Sequence, residues 1–201
     1  MIKIIDYRTG NAVSVLHAVN HLGFNAEFAS KAYDLVGASH IILPGVGSAA
    51  ETMESLHEMK LIEPLEDMVL NKKIPFLGIC IGMQILFEES EEGDVNCLGW
   101  IKGRVVRFDG EKVRVPQMGW NQTLFLKDIP HTSNEDYFYF VNSYHAVPKS
   151  RKVIWGIADY GGEFTSAVHS GNIYATQFHI EKSGEAGLSL LKGFLTEGRM
   201  E

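Results

Sequence analysis

Cys80 lies between two glycines, in the stretch Gly78-Ile79-Cys80-Ile81-Gly82, where an apolar run gives way to a helical pattern. Glycines on either side of a nucleophile are typical of a tight strand-to-helix turn that exposes the central side chain. A helix N-terminus favours the thiolate over the thiol, and the backbone amide of Ile81 is placed to help hold an oxyanion. A lone cysteine after a buried strand is more often a small core residue, so a reactive Cys80 requires a partner.

His179 and Glu181, in the stretch ATQFHIEKS, offer that partner. They lie two residues apart at the end of a predicted strand, so their side chains leave the same face and can meet a third group together. In such an arrangement the imidazole takes the thiol proton and the carboxylate orients the imidazole. The other histidines lack this setting and are interpreted as surface or structural residues: His17, His21, His40, His57, His131, His145 and His169.

The first ninety residues contain the elements that would position these groups. Short apolar runs alternate there with helical patterns, which is typical of βαβ units and a parallel sheet. Asn11 is predicted to cap the first helix, in which Val15, Leu16, Val19 and Leu22 recur at helical spacing. Strands are predicted at residues 2–6, 26–29, 41–45 and 74–79, and further helices at 49–71 and 81–90.

From Gly99 onward β-branched and aromatic runs predominate, and a helix is predicted from about residue 185 to 195. The predicted strands in this half are 104–108, 137–147 and 173–178. They indicate mostly antiparallel strands added to the same core. The predicted fold class is therefore α/β, with a mostly parallel central sheet flanked by helices and additional antiparallel strands in the C-terminal half. Residues 1–201 are expected to form a single domain.

Composition excludes several classes of function. A net charge of −7 without a basic cluster argues against nucleic acid as a partner. The longest apolar run, residues 74–87, is about 14 residues long and too short to span a bilayer, so we expect no membrane association and a cytoplasmic protein. The two cysteines, Cys80 and Cys97, form no C-x-x-C pair. Neither a disulfide framework nor a zinc site is predicted, and no metal or cofactor is expected.

Five segments, taken in order, resemble the signatures of class I glutamine amidotransferases. They are PGVG (44–47), GICIGMQILFEES (78–90), PQMGWN (116–121), YFYFVNSYHA (137–146) and TQFHIEKS (176–183). The resemblance runs the full length of the chain and is strongest to glutaminase subunits that supply a cyclase of histidine biosynthesis. It implies L-glutamine as substrate and a heterodimer with a (βα)₈-barrel cyclase, through which the released ammonia reaches a second active site.

The resemblance also implies roles for individual residues. Cys80 matches the nucleophile, His179 the base and Glu181 its orienting carboxylate. Gly45, Val46 and Gly47 match an oxyanion strand, and the residues that match the glutamine-binding positions are Gln84, Glu92, Ser143 and Tyr144. The family further implies that the isolated chain is nearly idle. The two glycines of PGVG allow a peptide of that loop to adopt a second orientation at small cost. We therefore predict that this loop switches the glutaminase activity on when the cyclase binds.

One departure from the family pattern leaves alternatives open. Ile180 stands where the family normally has proline, between His179 and Glu181. We expect the side-chain alternation to survive, because a β-branched residue stays extended, but related glutaminases that supply a nucleotide-linked sugar amidotransferase remain an alternative. Residues 45–50 also fit a weak G-x-G-x-x-A dinucleotide fingerprint, although this follows the third predicted strand and leaves Cys80 without a purpose. A non-catalytic binding module is the third alternative.

Overall fold

The computed structural model describes residues 1–8, 11–127 and 134–197. Within these ranges the strands are β1 Ile2–Ile5, β2 Ala26–Ala29, β3 His40–Leu43, β4 Phe76–Ile79, β5 Glu89–Ser90, β6 Val95–Asn96, β7 Gly103–Arg107, β8 Gln117–Phe125, β9 Glu135–Asn142, β10 Tyr144–Pro148, β11 Ile154–Asp159, β12 Glu163–Ser170 and β13 Ile173–Thr176. The helices are α1 Ala12–His21, α2 Ala49–Glu58, α3 Ile62–Glu66, α4 Ile81–Gln84 and α5 Gly184–Glu197. Shorter helical turns cover Ala32–Leu35, Asp67–Asn71, Arg151–Val153 and Ile180–Lys182.

A parallel sheet in the order β2-β1-β3-β4-β13 forms the centre of the fold. Strands β1 and β4 consist almost entirely of apolar residues and are buried along their whole length, as parallel strands covered on both faces require. In the register, Leu43 pairs with Gly78 and Ile79 pairs with Thr176. The carboxyl ends of β3, β4 and β13 therefore lie side by side, and the segments that follow them emerge at one edge of the sheet.

Antiparallel strands continue the sheet from β13, through β12 to β10 and β7, while β11 joins β12 to the β8–β9 hairpin. The predicted α/β class, with a parallel centre and antiparallel additions in the C-terminal half, is confirmed. The single strand predicted at 137–147 is wrong in one respect, because it is interrupted at Ser143. Strand β9 pairs with β8, whereas β10 pairs with β7 and β12, so the chain changes partners at this residue.

Two predicted helices are shorter than expected. The helix predicted at 49–71 is divided, since α2 ends at Glu58 and Lys60 adopts a left-handed φ of 54°. The helix predicted at 81–90 ends at Gln84, and residues 89–90 form a strand that pairs with β7. Ile85, Leu86 and Phe87 in between are fully buried. Because these three side chains are all apolar and all buried, the sequence has no helical periodicity here that would mark the end of the helix.

No helix in the described ranges combines the length and the apolarity that a bilayer crossing requires. In the same residues, no three His, Cys, Asp or Glu side chains are grouped closely enough to hold a metal ion.

Candidate active site

Cys80 is the first residue after β4 and the N-cap of α4. Its φ of 56° lies in the left-handed region, which is strained for a residue with a side chain. The backbone holds this conformation because the Cys80 N–H donates to Thr176 O at 2.8 Å. A Cβ on Gly78 would lie 2.4 Å from Gly82 O, and one on Gly82 would lie 2.0 Å from Leu43 O. The tight turn predicted around Cys80 is thus present, and both glycines are required for it.

His179 and Glu181 follow β13, although not as an extension of the strand as predicted. The strand ends at Thr176, and His179 begins a 3₁₀ turn over Ile180–Lys182, closed by Lys182 N–H donating to His179 O at 3.1 Å. The turn brings His179 Nδ1 to 2.8 Å from Glu181 Oε1, with both side chains almost completely buried. Because a carboxylate only accepts, Nδ1 carries the proton of this bond and Nε2 is left for another partner.

Electrostatics favour the charged forms of this pair. Burial lowers the pKa of His179, but hydrogen bonds with Cys80 and Glu181 and the charges of those two groups outweigh burial and raise it. Burial raises the pKa of Glu181, but the hydrogen bond and charge of His179 and a bond from Asn11 outweigh it and lower this pKa. The arrangement can therefore hold an imidazolium between a carboxylate and a sulfur. By contrast, burial alone raises the pKa of Cys97 to about 11 and keeps that thiol protonated.

Ile180, which replaces the proline of the family pattern, fits this turn. It is the first residue of the 3₁₀ turn and is buried. Proline suits such a position because the first N–H groups of a helix have no intrahelical partner. His179, with φ −82° and ψ 100°, has the extended conformation that precedes a proline. Isoleucine therefore occupies this position while His179 and Glu181 make a 2.8 Å contact.

Asn11 belongs to the site, which the sequence did not indicate. It occupies the N-cap position of α1 as predicted, but its side chain makes no capping hydrogen bond. Instead Asn11 Nδ2 donates to Glu181 Oε1 at 3.2 Å, and the Asn11 side chain is buried. The two residues are 170 positions apart. Only long-range topology brings them together, so no local pattern in the sequence signals this contact.

A pocket of about 270 Å³ opens above Cys80 and His179. It brings together most of the residues that the sequence predicted for the site: Val46, Gly47, Cys80, Ile81, Gln84, Glu92, Ser143, Tyr144 and His179. Two predicted residues do not line it. Glu181 lies behind His179, and Gly45 packs inward against Tyr7 and Ile81. The pocket wall also contains residues that sequence reasoning missed, namely Pro116, Val141, Asn142 and Lys182.

The loop Pro44–Gly47 follows β3 and forms one wall of this pocket. Tyr7 Oη donates to Pro44 O at 2.8 Å and anchors the start of the loop. Gly45 admits no side chain, because a Cβ there would lie 2.6 Å from Tyr7 Oη and 2.9 Å from Ile81 Cβ. Gly47 has a φ of 97°, which favours glycine. The two glycines thus serve close packing and a turn beside Cys80, rather than the phosphate cradle of a dinucleotide fingerprint.

Polar groups on the opposite side of the pocket are held by the fold. Gln84 Nε2 donates to Gln177 Oε1 at 3.1 Å and to Tyr144 O at 3.3 Å. Gln84 Oε1 is buried and has no hydrogen-bond partner among the described residues. Glu92 Oε2 accepts from Ala49 N–H at 3.0 Å, and burial raises the Glu92 pKa. The pocket therefore offers an unpaired carbonyl oxygen and a carboxylate to a small polar molecule.

Comparison with known proteins places the chain in a family. Residues 3–197 match the sequence profile described as "Glutamine amidotransferase class-I". The chain belongs to the class I glutamine amidotransferases, and it is a glutaminase by family. The dinucleotide-binding and non-catalytic alternatives are therefore set aside.

The names of individual relatives are more specific than the family description. The chain is 45% identical to the imidazole glycerol phosphate synthase subunit HisH of Methanocaldococcus jannaschii, over 97% of this chain and 98% of that protein. It is 42% identical to the chloroplastic imidazole glycerol phosphate synthase hisHF of Arabidopsis thaliana, where the match covers 97% of this chain and 34% of the longer protein. A solved structure of a glutamine amidotransferase superposes with a TM-score of 0.79 at 18% identity, covering 98% of both chains. At this identity the superposition supports the fold alone.

The Asn11–Glu181 contact gives a prediction about stability and pH. Asn11→Ala is expected to lower the free energy of unfolding by about 1–3 kcal/mol at pH 7, because a hydrogen bond to a buried carboxylate is lost. Asn11 helps to lower the Glu181 pKa below its ordinary 4.5. The contribution of this hydrogen bond to the free energy of unfolding is therefore present above pH 4.5. It is lost as the pH falls through the lower pKa that Glu181 has in the folded protein.

Urea unfolding of the variant and the wild type, measured at neutral pH and again below pH 4.5, tests this expectation. The matched control is Asn20→Ala, which removes an exposed asparagine of the same helix and should change stability by less than about 0.5 kcal/mol. A destabilisation by Asn11→Ala that is the same at every pH would contradict the proposed contact with the ionised carboxylate.

Proposed function

We propose that this chain hydrolyses L-glutamine to glutamate and ammonia at Cys80, as the glutaminase subunit of an imidazole glycerol phosphate synthase. The observation that carries the proposal is the pocket in which Cys80 meets His179, with His179 Nδ1 held 2.8 Å from the buried carboxylate of Glu181. A thiol, a base and a group that orients the base are the three parts that nucleophilic attack on an unactivated amide requires. We take residues 1–201 as one glutaminase domain.

In the first half of the reaction, His179 takes the thiol proton and the Cys80 sulfur attacks the side-chain amide carbon of glutamine. The carbonyl electron pair moves onto oxygen and forms a tetrahedral oxyanion. We assign its stabilisation to the backbone amides of Ile81 and of the Gly45-Val46-Gly47 loop. His179 then returns the proton to the amide nitrogen, the carbon–nitrogen bond breaks, and ammonia leaves a thioester on Cys80.

In the second half, water attacks the thioester carbon while His179 accepts the proton of that water. The second tetrahedral intermediate collapses, the carbon–sulfur bond breaks and glutamate leaves. The sulfur regains its negative charge beside the imidazolium, and the cycle closes with no net change in the enzyme. Glu181 stabilises the imidazolium in both halves and holds it in one tautomer.

The polar groups of the pocket suit a glutamine molecule. The unpaired Gln84 Oε1 is available to accept from an N–H of the substrate, since a buried acceptor without a donor is costly. The carboxylate of Glu92 suits the substrate's α-ammonium group, and Ser143 and Tyr144 complete the wall. We assign substrate binding to these four residues.

The names of the relatives support a cyclase as the acceptor of ammonia. The chain matches 34% of the Arabidopsis protein, which is called hisHF. That name suggests that the remainder of the Arabidopsis protein supplies the other activity of the synthase. We infer that this chain forms a heterodimer with a separate HisF-like (βα)₈ cyclase, which would receive the ammonia and form imidazole glycerol phosphate and AICAR. The relatives favour this acceptor over a nucleotide-linked sugar. Both cysteines are free, which suits the reducing cytoplasm where we place the reaction.

An apolar face beside the pocket is the proposed docking surface for the cyclase. Met118, Trp120 and Tyr137 project from one face of the β8–β9 hairpin and are 67%, 57% and 55% exposed. The carbonyls of two β9 residues reach the site beneath it, because Tyr139 O accepts from His179 N–H at 2.9 Å and Val141 O faces Cys80 Sγ at 3.9 Å. Exposed apolar clusters of this kind mark interaction sites. A cyclase bound here would lie next to the point where ammonia is released.

The catalytic assignment is tested by comparing Cys80→Ala with Cys97→Ala, each in the presence of a matching cyclase and its nucleotide substrate. Cys80→Ala should abolish glutamine hydrolysis, because it removes the thiol that attacks the amide carbon. Cys97→Ala should retain the wild-type rate, measured as glutamate release. The wild-type chain alone should be at least about a hundredfold slower than the complex, the effect expected if one oxyanion donor is misplaced. Glutamate release by Cys80→Ala at the wild-type rate would refute the assigned nucleophile.

The docking surface gives a separate prediction. Trp120→Ala should raise the Kd for the cyclase at least about tenfold, because large aromatic side chains at the centre of an interface contribute most of the binding free energy. Tyr33→Ala is the matched control, since Tyr33 is 83% exposed on the 3₁₀ turn Ala32–Leu35 and should leave the Kd unchanged. Calorimetric titration of each variant with the cyclase measures both values. An unchanged Kd for Trp120→Ala would place the cyclase on another surface.

A further inference from the structure

Gln177 is a fully buried polar residue that none of the roles above uses. It lies just after β13, two residues before His179, and its backbone N–H donates to Ser166 O at 2.8 Å. Its side chain is enclosed between the nucleophile and the substrate pocket. Gln177 Oε1 accepts from Gln84 Nε2 at 3.1 Å, and Gln177 Nε2 lies 3.7 Å from Cys80 Sγ.

The surrounding network determines which end of the Gln177 amide faces the sulfur. Gln84 also contacts Tyr144 O, at 3.3 Å, and a backbone carbonyl only accepts. Gln84 must therefore present its nitrogen on this side, and the Gln177 group that meets that nitrogen must be the oxygen. The Gln177 NH₂ group is then directed at Cys80, where the sulfur is its one hydrogen-bond acceptor in the described part of the chain.

We propose that Gln177 is a further catalytic residue, whose side-chain N–H donates to the Cys80 sulfur and stabilises its anionic form. The inference rests on the proposed role of Cys80 as the nucleophile. A buried N–H that has only a sulfur to meet bonds more strongly to a thiolate than to a thiol, since charge-assisted hydrogen bonds are the stronger kind. The thiol form has a different partner, because its S–H is placed to donate to Val141 O at 3.9 Å.

Gln177 transfers no proton in this account. The thiol proton resides on His179, and the Gln177 N–H bond stays intact throughout. The donor acts at the two moments when the sulfur carries negative charge, namely before it attacks glutamine and when it leaves the thioester. In both, a fixed dipole in a site shielded from water replaces the solvent that would otherwise stabilise the anion. Gln84 orients Gln177 and is also assigned to substrate binding. The side-chain amides of these two residues therefore connect the substrate with the nucleophile.

Two variants of Gln177 separate the effect of losing its N–H donor from the effect of losing its side-chain packing. Gln177→Glu is nearly isosteric and keeps an oxygen for Gln84, but it places an acceptor beside the sulfur. Gln177→Met keeps the length of the side chain and removes the donor altogether. Thr123→Val is the matched control, because Thr123 in β8 is also fully buried, does not line the pocket, and its Oγ1 makes no hydrogen bond in the described part of the chain.

The first measurement is the rate of Cys80 alkylation by iodoacetamide in the full-length chain, followed by mass spectrometry from pH 6 to pH 9. Both Gln177 variants should react at least about tenfold more slowly than wild type at pH 7, the effect of losing one hydrogen bond to a charged group. Thr123→Val should keep the wild-type alkylation rate and pH profile.

The second measurement is glutamine hydrolysis in the complex with the cyclase. There kcat should fall at least about tenfold in both variants, and KM should change by less than about threefold in Gln177→Glu, which keeps an oxygen for Gln84. Wild-type alkylation rates and kcat in folded Gln177→Glu, with folding checked by near-UV circular dichroism, would overturn the inference even if Gln177→Met does not fold. Failure of the proposed function looks different, since the wild-type complex would then release no glutamate while Cys80 alkylation still depended on residue 177.

Discussion

The register of three neighbouring parallel strands is the constraint on which the site depends. Strands β3, β4 and β13 end at one level, with Leu43 beside Gly78 and Ile79 beside Thr176. The Pro44–Gly47 loop, Cys80 and the His179–Glu181 turn each begin within a few residues of those ends. A shift of one strand by one residue would turn its side chains to the opposite face of the sheet. Because the sheet interior is apolar and fully buried, such a shift is costly, and the packing of the core therefore maintains the geometry of the site.

The second constraint is the burial of polar groups at that edge. A chain of contacts runs from the start of α1 to the proposed nucleophile and its neighbour, through Asn11, Glu181, His179, Cys80 and Gln177. Each is buried, and a buried charge or donor without a partner destabilises a protein strongly. The pairing offsets part of that cost and at the same time holds the groups in the orientation that the proposed amide hydrolysis requires. Stability and reactivity therefore depend on the same hydrogen bonds.

Much of this could be predicted from short segments of sequence. The glycines around Cys80 indicated the tight turn, and the apolar strands with intervening helices indicated the parallel sheet. The His179–Glu181 pair was found through strand alternation, although the structure produces it with a 3₁₀ turn. Gln177 is two residues before His179, so the same alternation contained a signal for it that was not used.

The features that sequence analysis missed are those that depend on long-range pairing. Asn11 was assigned to a helix cap, and its contact with Glu181 joins residues 170 positions apart. The break at Ser143 arises because β9 and β10 pair with different strands, which no local propensity records. The end of the helix at Gln84 was missed because the residues that follow are all apolar and buried, so their sequence has no periodicity that marks the boundary. In each case tertiary contacts override a local preference.

The central claim is that glutamine is cleaved through a covalent bond to Cys80, and trapping that bond tests it most directly. The complex with the cyclase would be mixed with glutamine that is isotopically labelled in its carbon chain and quenched in acid during turnover, and its peptides would be analysed by mass spectrometry. The account predicts a labelled glutamyl thioester on the peptide that contains Cys80, and none on the Cys97 peptide. Its accumulation in wild type and its absence in Cys80→Ala would support the mechanism. Full glutamate release with no label on Cys80 at any quench time would contradict it.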